Sequence, residues 1–306
     1  MKKKDIVFIR PEYSMSAKYI KESGYDVNSP YKGNTFLLRI FRELHFRLNI
    51  PFKSLWYNNV DMSSKKVLIL NNSLLIPNYL KWLKKKNKNS RIILYYSDPV
   101  KATINPALID NSWCEKWTID PDDAKKYGLK FYYGGDFYFR QNVIKKTKAV
   151  YDILFIGRDK DRMRDLLELE KLFNNMGLST YFHITAKRRL LGKKNKNYKP
   201  LISYDEVLKY LSKSKSVLQL EKGCQKGVTL RIKECLINKI KLISDNRDLL
   251  KYDFYNPSNI FIIGYDNFSR LPFFINSPYE EVSSTIDKSL FFDMMIPDLI
   301  GEEVTE

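Results

Sequence analysis

Short non-polar runs separated by amphipathic stretches set the rhythm of the first half of the chain. Asp5–Ile9, Ser54–Tyr57, Val67–Asn71, Arg91–Tyr96 and Lys116–Ile119 read as strands. Between them, Thr35–Leu48 places Phe36, Leu37, Ile40, Phe41, Leu44 and Leu48 on one helical stripe, with Asn34 as its N-cap. A second helix, Leu74–Lys86, closes on the basic run from Lys84 to Lys88. The stretch Arg10–Gly33, after the first strand, reads as a loop that offers Glu12, Tyr13, Ser14 and Lys18 to a ligand. Strands alternating with helices specify βα units and a mostly parallel sheet.

The pattern then restarts. Asp152–Gly157 reads as a buried strand, Met163–Met176 as a helix and Tyr181–Ile184 as a strand. A helix over Tyr204–Ser212 and a strand over Ser216–Leu220 come next. A helix over Val228–Asn238 and strands at Ile240–Ser244 and Asn259–Ile263 complete the set. The economical reading is two successive α/β domains: residues 1–145, and residues 146–282 after a hinge near 140–150. A final helix near 283–300, carrying Ile286, Leu290, Phe291, Met294 and Met295, is expected to pack back on the first domain.

Composition narrows the classes. With 306 residues, 44% hydrophobic and 14% aromatic, the chain can bury a sizeable core, which excludes wholesale disorder. Cys114, Cys224 and Cys235 form no CxxC, and an odd count this low argues against a disulfide framework. Two histidines, His45 and His183, make a common N/S metal site improbable. The opening Met1-Lys2-Lys3-Lys4 meets only a few non-polar residues before Arg10, too few for a secretory signal, and no run is long enough to span a membrane. The expectation is a protein of the reducing cytoplasm. The net charge of +18 is partly a background of Lys-rich composition, and the remainder favours phosphorylated substrates or an anionic membrane surface. Residues 187–199, with Lys187, Arg188, Arg189, Lys193, Lys194, Lys196 and Lys199, read either as a solvated loop or as a contact for anionic headgroups.

The most informative segment runs from Leu220 to Leu236. It leaves a strand, crosses a loop with Gly223 and Gly227, and enters a helix, so backbone N–H groups at the helix start can face an anion. Gly227 and Val228 allow close approach of the backbone, Thr229 offers a hydroxyl and Arg231 a charged fork for phosphate. Glu234, three residues beyond Arg231 on the same face, has the chemistry to accept from a ribose diol; an intrahelical Arg231–Glu234 ion pair is the alternative. Gln219 and Gln225 could read a base or sugar. Gly157-Arg158 ends the first strand of the second domain, where Arg158 can make a second pyrophosphate contact.

The pattern Gln225-x-Gly227-Val228-Thr229-x-Arg231-x-x-Glu234 resembles bacterial GT-B glycosyltransferases of the capsular and lipopolysaccharide biosynthesis type. The stretches Ile119-Asp120-Pro121-Asp122-Asp123-Ala124 and Tyr252-Asp253-Phe254-Tyr255-Asn256-Pro257 are similar to that group as well. The resemblance implies an α/β fold with two Rossmann-like domains facing across a cleft, a nucleotide-sugar donor on the second domain and a glycan or lipid-linked acceptor on the first. It implies a hexosyltransferase that needs neither metal nor cofactor and works in the cytoplasm or peripherally at the inner face of the cell membrane. Asp120-Pro121-Asp122 has the spacing of a metal-binding Asp-x-Asp but reads better as a helix start with proline at the first position. Where many retaining members carry a first glutamate, this chain has Lys226, which leaves retention or inversion open.

A general base for an inverting reaction would come from the first domain. Asp98, just past a strand end, is the candidate, against the alternative of a loop-capping aspartate before Pro99. His45 and His183 read as packed histidines. The competing function is a non-enzymatic, basic nucleic-acid-binding protein; no RRM, KH or helix-turn-helix signature supports it, so nucleic acid is an unlikely partner. A nicotinamide-linked dehydrogenase is disfavoured because no GxGxxG follows an early strand.

Overall fold

The computed structural model of the protein describes residues 1–306 apart from 13, 34, 59–61, 63, 72–76, 134–136, 187–195, 222–225 and 282–289. The chain divides into two compact units, Met1–Phe137 with Phe292–Glu306, and Tyr138–Phe291.

The first unit is built on strands β1 (Ile6–Ile9), β2 (Asp26–Asn28), β3 (Val67–Asn71), β4 (Arg91–Tyr96), β5 (Glu115–Thr118) and β6 (Lys130–Phe131), all parallel, in the order β2-β1-β3-β4-β5-β6. The central strands are unbroken non-polar runs because a parallel sheet is covered on both faces; β1 is buried at all four positions. The expected loop Arg10–Gly33 instead holds helix α1 (Met15–Glu22) and strand β2. Ser14 caps α1, its hydroxyl accepting from the Ala17 amide at 3.2 Å.

Helix α2 (Phe36–Arg47) forms where the periodicity placed it, with Thr35 at the N-cap position; Asn34 lies outside the described residues. Its stripe, however, faces outward. Phe36, Leu37, Ile40, Phe41, Leu44 and Leu48 are all exposed, and the helix buries no residue. Ser54–Tyr57, expected as a strand, is instead a 3-10 turn over Lys53–Trp56, entered through Phe52 at φ 62°. That left-handed residue breaks the extended path that alternation alone suggested. Helix α3 (Pro77–Lys86) follows β3, and its expected start at Leu74 falls outside the described residues. Asp120 begins helix α4 (Pro121–Tyr127) as a cap, one carboxylate oxygen accepting from the amides of Asp122 and Asp123 at 3.0 and 3.2 Å. Gly128 ends that helix at φ 62°, a conformation that costs glycine little.

The second unit contains strands β7 (Tyr151–Arg158), β8 (Thr180–Thr185), β9 (Ser214–Gln219), β10 (Lys241–Ser244) and β11 (Ile260–Ile262), parallel, in the order β11-β10-β9-β7-β8. Helices α5 (Met163–Asn175), α6 (Tyr204–Leu211), α7 (Leu230–Ile237) and α8 (Leu271–Asn276) cover it. A capping box starts α6, in which Ser203 and Glu206 satisfy each other's backbone amides. This unit begins at Tyr138, earlier than the expected boundary at 145/146. Asn238 explains the shift: it donates to the Tyr138 hydroxyl at 2.8 Å and accepts from the Ile144 amide at 2.9 Å. The stretch expected as a hinge is thereby fixed to the end of α7.

The last helix, α9 (Phe292–Ile300), belongs to the first unit, where Met295, Ile296 and Leu299 are fully buried and Phe292 packs on Phe8 and Tyr25. Residues 283–289 of the expected 283–300 helix lie outside the described residues. Both units therefore have Rossmann-like, doubly wound α/β topology, within the fold class expected.

Candidate functional site

In an open parallel sheet a ligand gathers beyond the carboxyl ends of the strands, where the strand order reverses. In the second unit that point lies between β7 and β9. Gly157 and Arg158 end β7 there, Asp159 to Arg162 leave it, Leu220 and Glu221 leave β9, and Lys226 to Thr229 lead into α7. The described part of the segment singled out in the sequence thus lies at the topological switch point; Lys222, Gly223, Cys224 and Gln225 fall outside the described residues.

Thr229 occupies the N-cap position of α7 with no side-chain cap, so the first amides of that helix take no hydrogen bond from it. Its hydroxyl instead accepts from Gln219 Nε2 at 3.0 Å. Gln219 is nearly buried, donates also to Glu221 Oε1 at 2.7 Å, and its own Oε1 has no partner among the described residues. An orphaned acceptor beside an uncapped helix start is the arrangement a polar ligand or water completes. Burial pushes the Glu221 carboxyl up, against the opposing pull of Gln219, Lys160 and Arg162. Gly227 and Val228 are buried just before the helix.

Arg231 reaches across to β7, its Nη2 donating to the Ile156 carbonyl at 3.2 Å beside Gly157. Its Nη1 lies 2.5 Å from Glu234 Oε2, in contact but without hydrogen-bond alignment. Glu234 Oε1 accepts from the Tyr204 hydroxyl at 2.6 Å. The Glu234 side chain is 1% exposed, and burial pushes its carboxyl above the usual range while Arg231 and Tyr204 pull the other way. Both carboxylate oxygens are engaged inside the unit. Glu234 holds Arg231, and the arginine is the member of the pair with solvent access. Tyr204 is the residue that sequence reasoning missed: it lies 30 positions upstream, on α6.

Arg158, the last residue of β7, and Lys160 beyond it are exposed. The turn from Asp159 to Arg162 carries Lys160 at φ 48° and Asp161 at φ 62°, two consecutive left-handed residues. Asp159 braces it, accepting from the Arg162 amide at 2.9 Å and from the Tyr198 hydroxyl at 2.6 Å. Helix α5 begins at the end of this turn, again without a side-chain cap. Two uncapped helix starts with Arg158, Lys160 and Arg231 make this edge suited to a polyanion such as a diphosphate.

The other candidates are placed differently. In the first unit the order reverses between β1 and β3, where Arg10, nearly buried, hydrogen-bonds Ser16 and lies over the Phe137 ring. Asp98 is exposed past the end of β4, one strand further along. His183 Nε2 donates to the Pro200 carbonyl at 2.7 Å and is packed. His45 bridges α2 to the following turn, Nε2 donating to the Pro51 carbonyl at 2.8 Å and Nδ1 accepting from Trp56 at 3.2 Å. Cys114 and Cys235 are free and buried; burial pushes the Cys114 thiol up to about 12. Among the described residues no three His, Cys, Asp or Glu side chains are grouped to hold a metal ion.

The chain thus combines two Rossmann-like units with a switch point, in the second, that carries Arg158, Lys160 and Arg231. No family model and no curated protein matches the sequence. Among solved structures, the chain is similar to the apo form of the lipopolysaccharide outer core galactosyltransferase WaaB, with 13% identity over 97% of this chain and 98% of that one and a TM-score of 0.47. The spinosyn forosaminyltransferase SpnP follows at 12% identity over 97% and 99%, TM-score 0.41. A phosphoglycerate oxidoreductase from Vibrio cholerae O395 aligns at 10% identity over 88% and 95%, TM-score 0.23.

Proposed function

We propose that the protein is a glycosyltransferase that moves a sugar from a nucleotide-sugar donor to a surface glycan or lipid-linked acceptor without a metal. The observation that carries this reading is the β9–α7 connection: an uncapped helix start and Arg231 at the switch point of the second sheet. The donor diphosphate sits against the amides at the start of α7, with Arg231 and Arg158 neutralising its charge. Gly227 lets the backbone approach, and the Gln219 carbonyl oxygen accepts from the nucleotide or sugar. Glu234 keeps the Arg231 fork aimed, so its part is positioning. Catalysis rests on orienting the anomeric carbon and stabilising the departing nucleoside diphosphate. Asp98 is the base if the reaction inverts.

The test is calorimetric titration with uridine and guanosine diphosphates. Wild type is expected to bind at least one of them. Arg158→Ala, which removes an exposed side chain, is expected to weaken that binding by about 1–2 kcal/mol, the order of a charge-assisted hydrogen bond. Absence of binding to any nucleoside diphosphate overturns the reading.

A further inference from the structure

Helix α2 is mounted the wrong way round for a helix of a water-soluble surface. Its narrow side holds it to the first unit. Leu38 packs on Gly33, whose φ of 70° and missing Cβ make room where an added Cβ would stand 2.7 Å from Leu38 Cδ1. The Arg42 guanidinium lies 4.5 Å over the Tyr31 ring, Phe46 meets the same ring edge-on at 5.6 Å, and His45 takes the Trp56 indole N–H. Positions 38, 42, 45 and 46 are one helical face. The opposite, wider face carries the hydrophobic stripe into solvent.

The exposure does not stop at the helix end. Ile50, Phe52 and Leu55 continue it, Phe52 being 74% exposed and held in the left-handed region at φ 62°. Among the described residues, ten of the twenty-one exposed large non-polar side chains lie within residues 36–55. Together they present on the order of 1,000 Å² of non-polar surface, against roughly 300–600 Å² for the largest patch on a typical monomer. The bracing by His45 and Trp56 makes this a fixed surface.

Basic groups lie at its rim. Lys32 is exposed before the helix, Arg39 and Arg47 are exposed along it, with Arg47 also paired to Glu43 at 3.0 Å, and Lys53 is half-buried in the following turn. We infer that residues 36–55 are an interfacial docking surface for an anionic lipid bilayer, with α2 lying in the plane of the headgroups and Phe36, Phe41, Leu44 and Phe52 entering the acyl boundary. A non-polar face with a basic rim is the pattern of an interfacial helix. The net charge of +18 favours the anionic bilayer over a second copy of the chain, which would bring the same charge to the contact. The inference is independent of the proposed glycosyl transfer. It also assigns the docking elsewhere than the basic run at 84–88, where Lys84 Nζ is turned back onto the carbonyls of Lys88 and Ser90.

The experiment is flotation of the full chain with vesicles of phosphatidylcholine alone and of phosphatidylcholine with phosphatidylglycerol. The Phe41→Glu/Phe52→Glu variant serves as the probe, with its melting curve checked against wild type. Both side chains are exposed, so the variant is expected to fold. Wild type is expected to float with the anionic vesicles, and the variant to partition at least about tenfold more weakly. Equal flotation of variant and wild type overturns the assignment, as does flotation abolished only by substituting Lys84 to Lys88. Failure of wild type to float also overturns it. A concentration-dependent dimer that the variant dissolves, seen by sedimentation equilibrium without any flotation, gives the surface to a second copy instead.

Discussion

Arg231, Glu234 and Tyr204 form a buried polar unit in which each substitution has a distinct consequence. Glu234→Gln keeps the shape but removes the negative charge beside a guanidinium only 19% exposed. A loss of about 1–3 kcal/mol of stability is expected, visible as a lower melting temperature in the absence of any ligand. Tyr204→Phe strips Glu234 Oε1 of its donor and is expected to cost about 1–2 kcal/mol by the same measurement. Unchanged melting in both variants would show that the unit does not hold Arg231. The sequence made half of this legible: a three-residue spacing puts Arg231 and Glu234 on one helical face. It could not show that the face points inward, nor that a tyrosine from another helix completes it, because neither is a local property of the chain. The same limit hid the role of His45, whose partners Pro51 and Trp56 come together only through the turn at Phe52.

Among the elements, the last helix and the middle of the first sheet are joined by one side chain. Arg91 donates through Nε and Nη2 to the two oxygens of Glu115, at 2.5 and 3.0 Å, and through Nη1 to the Ile300 carbonyl at 2.5 Å. A guanidinium at the carboxyl end of α9 also opposes the helix dipole. With Lys130 at 2.7 Å as a second cation, Arg91 holds the Glu115 carboxyl down at about 2. A carboxyl depressed in the folded state stabilises above its unfolded value near 4.5 and loses that contribution as pH falls towards 2. Wild type is therefore expected to lose roughly 1–3 kcal/mol relative to Glu115→Gln between about pH 5 and pH 2, read from urea midpoints across that range. A constant difference would place the stabilisation elsewhere. Element identity was largely legible, since buried parallel strands are unbroken non-polar runs. The short pieces, α1, β2 and β6, were not, because few residues carry their signal. Helix α2 gives the sharper lesson: periodicity locates a stripe but not the medium it faces, and a stripe aimed at a core reads the same as one aimed outward.

For the whole molecule, the division into two units was legible from the restart of the strand–helix pattern, and its boundary was off by the few residues that Asn238 fastens to the second unit. The units differ in how they are threaded. Tyr138–Phe291 is one continuous stretch, whereas the first unit is completed by Phe292–Glu306. Truncation after Phe291 is expected to remove Met295, Ile296 and Leu299 from the first core while leaving the second whole. Limited proteolysis should then degrade residues 1–137 and spare a fragment beginning near Tyr138. Equal survival of both halves would show that α9 is dispensable to the first unit. On the ribosome this threading inverts the usual order of events. Residues 1–137 cannot finish folding until residues 292–306 have left the exit tunnel. The second unit, complete earlier, folds while its neighbour waits with Phe8 of β1 still lacking Phe292 and Arg91 of β4 still lacking the Ile300 carbonyl. A translational pause or stop just before residue 292 would therefore harm residues 1–137 more than residues 138–291.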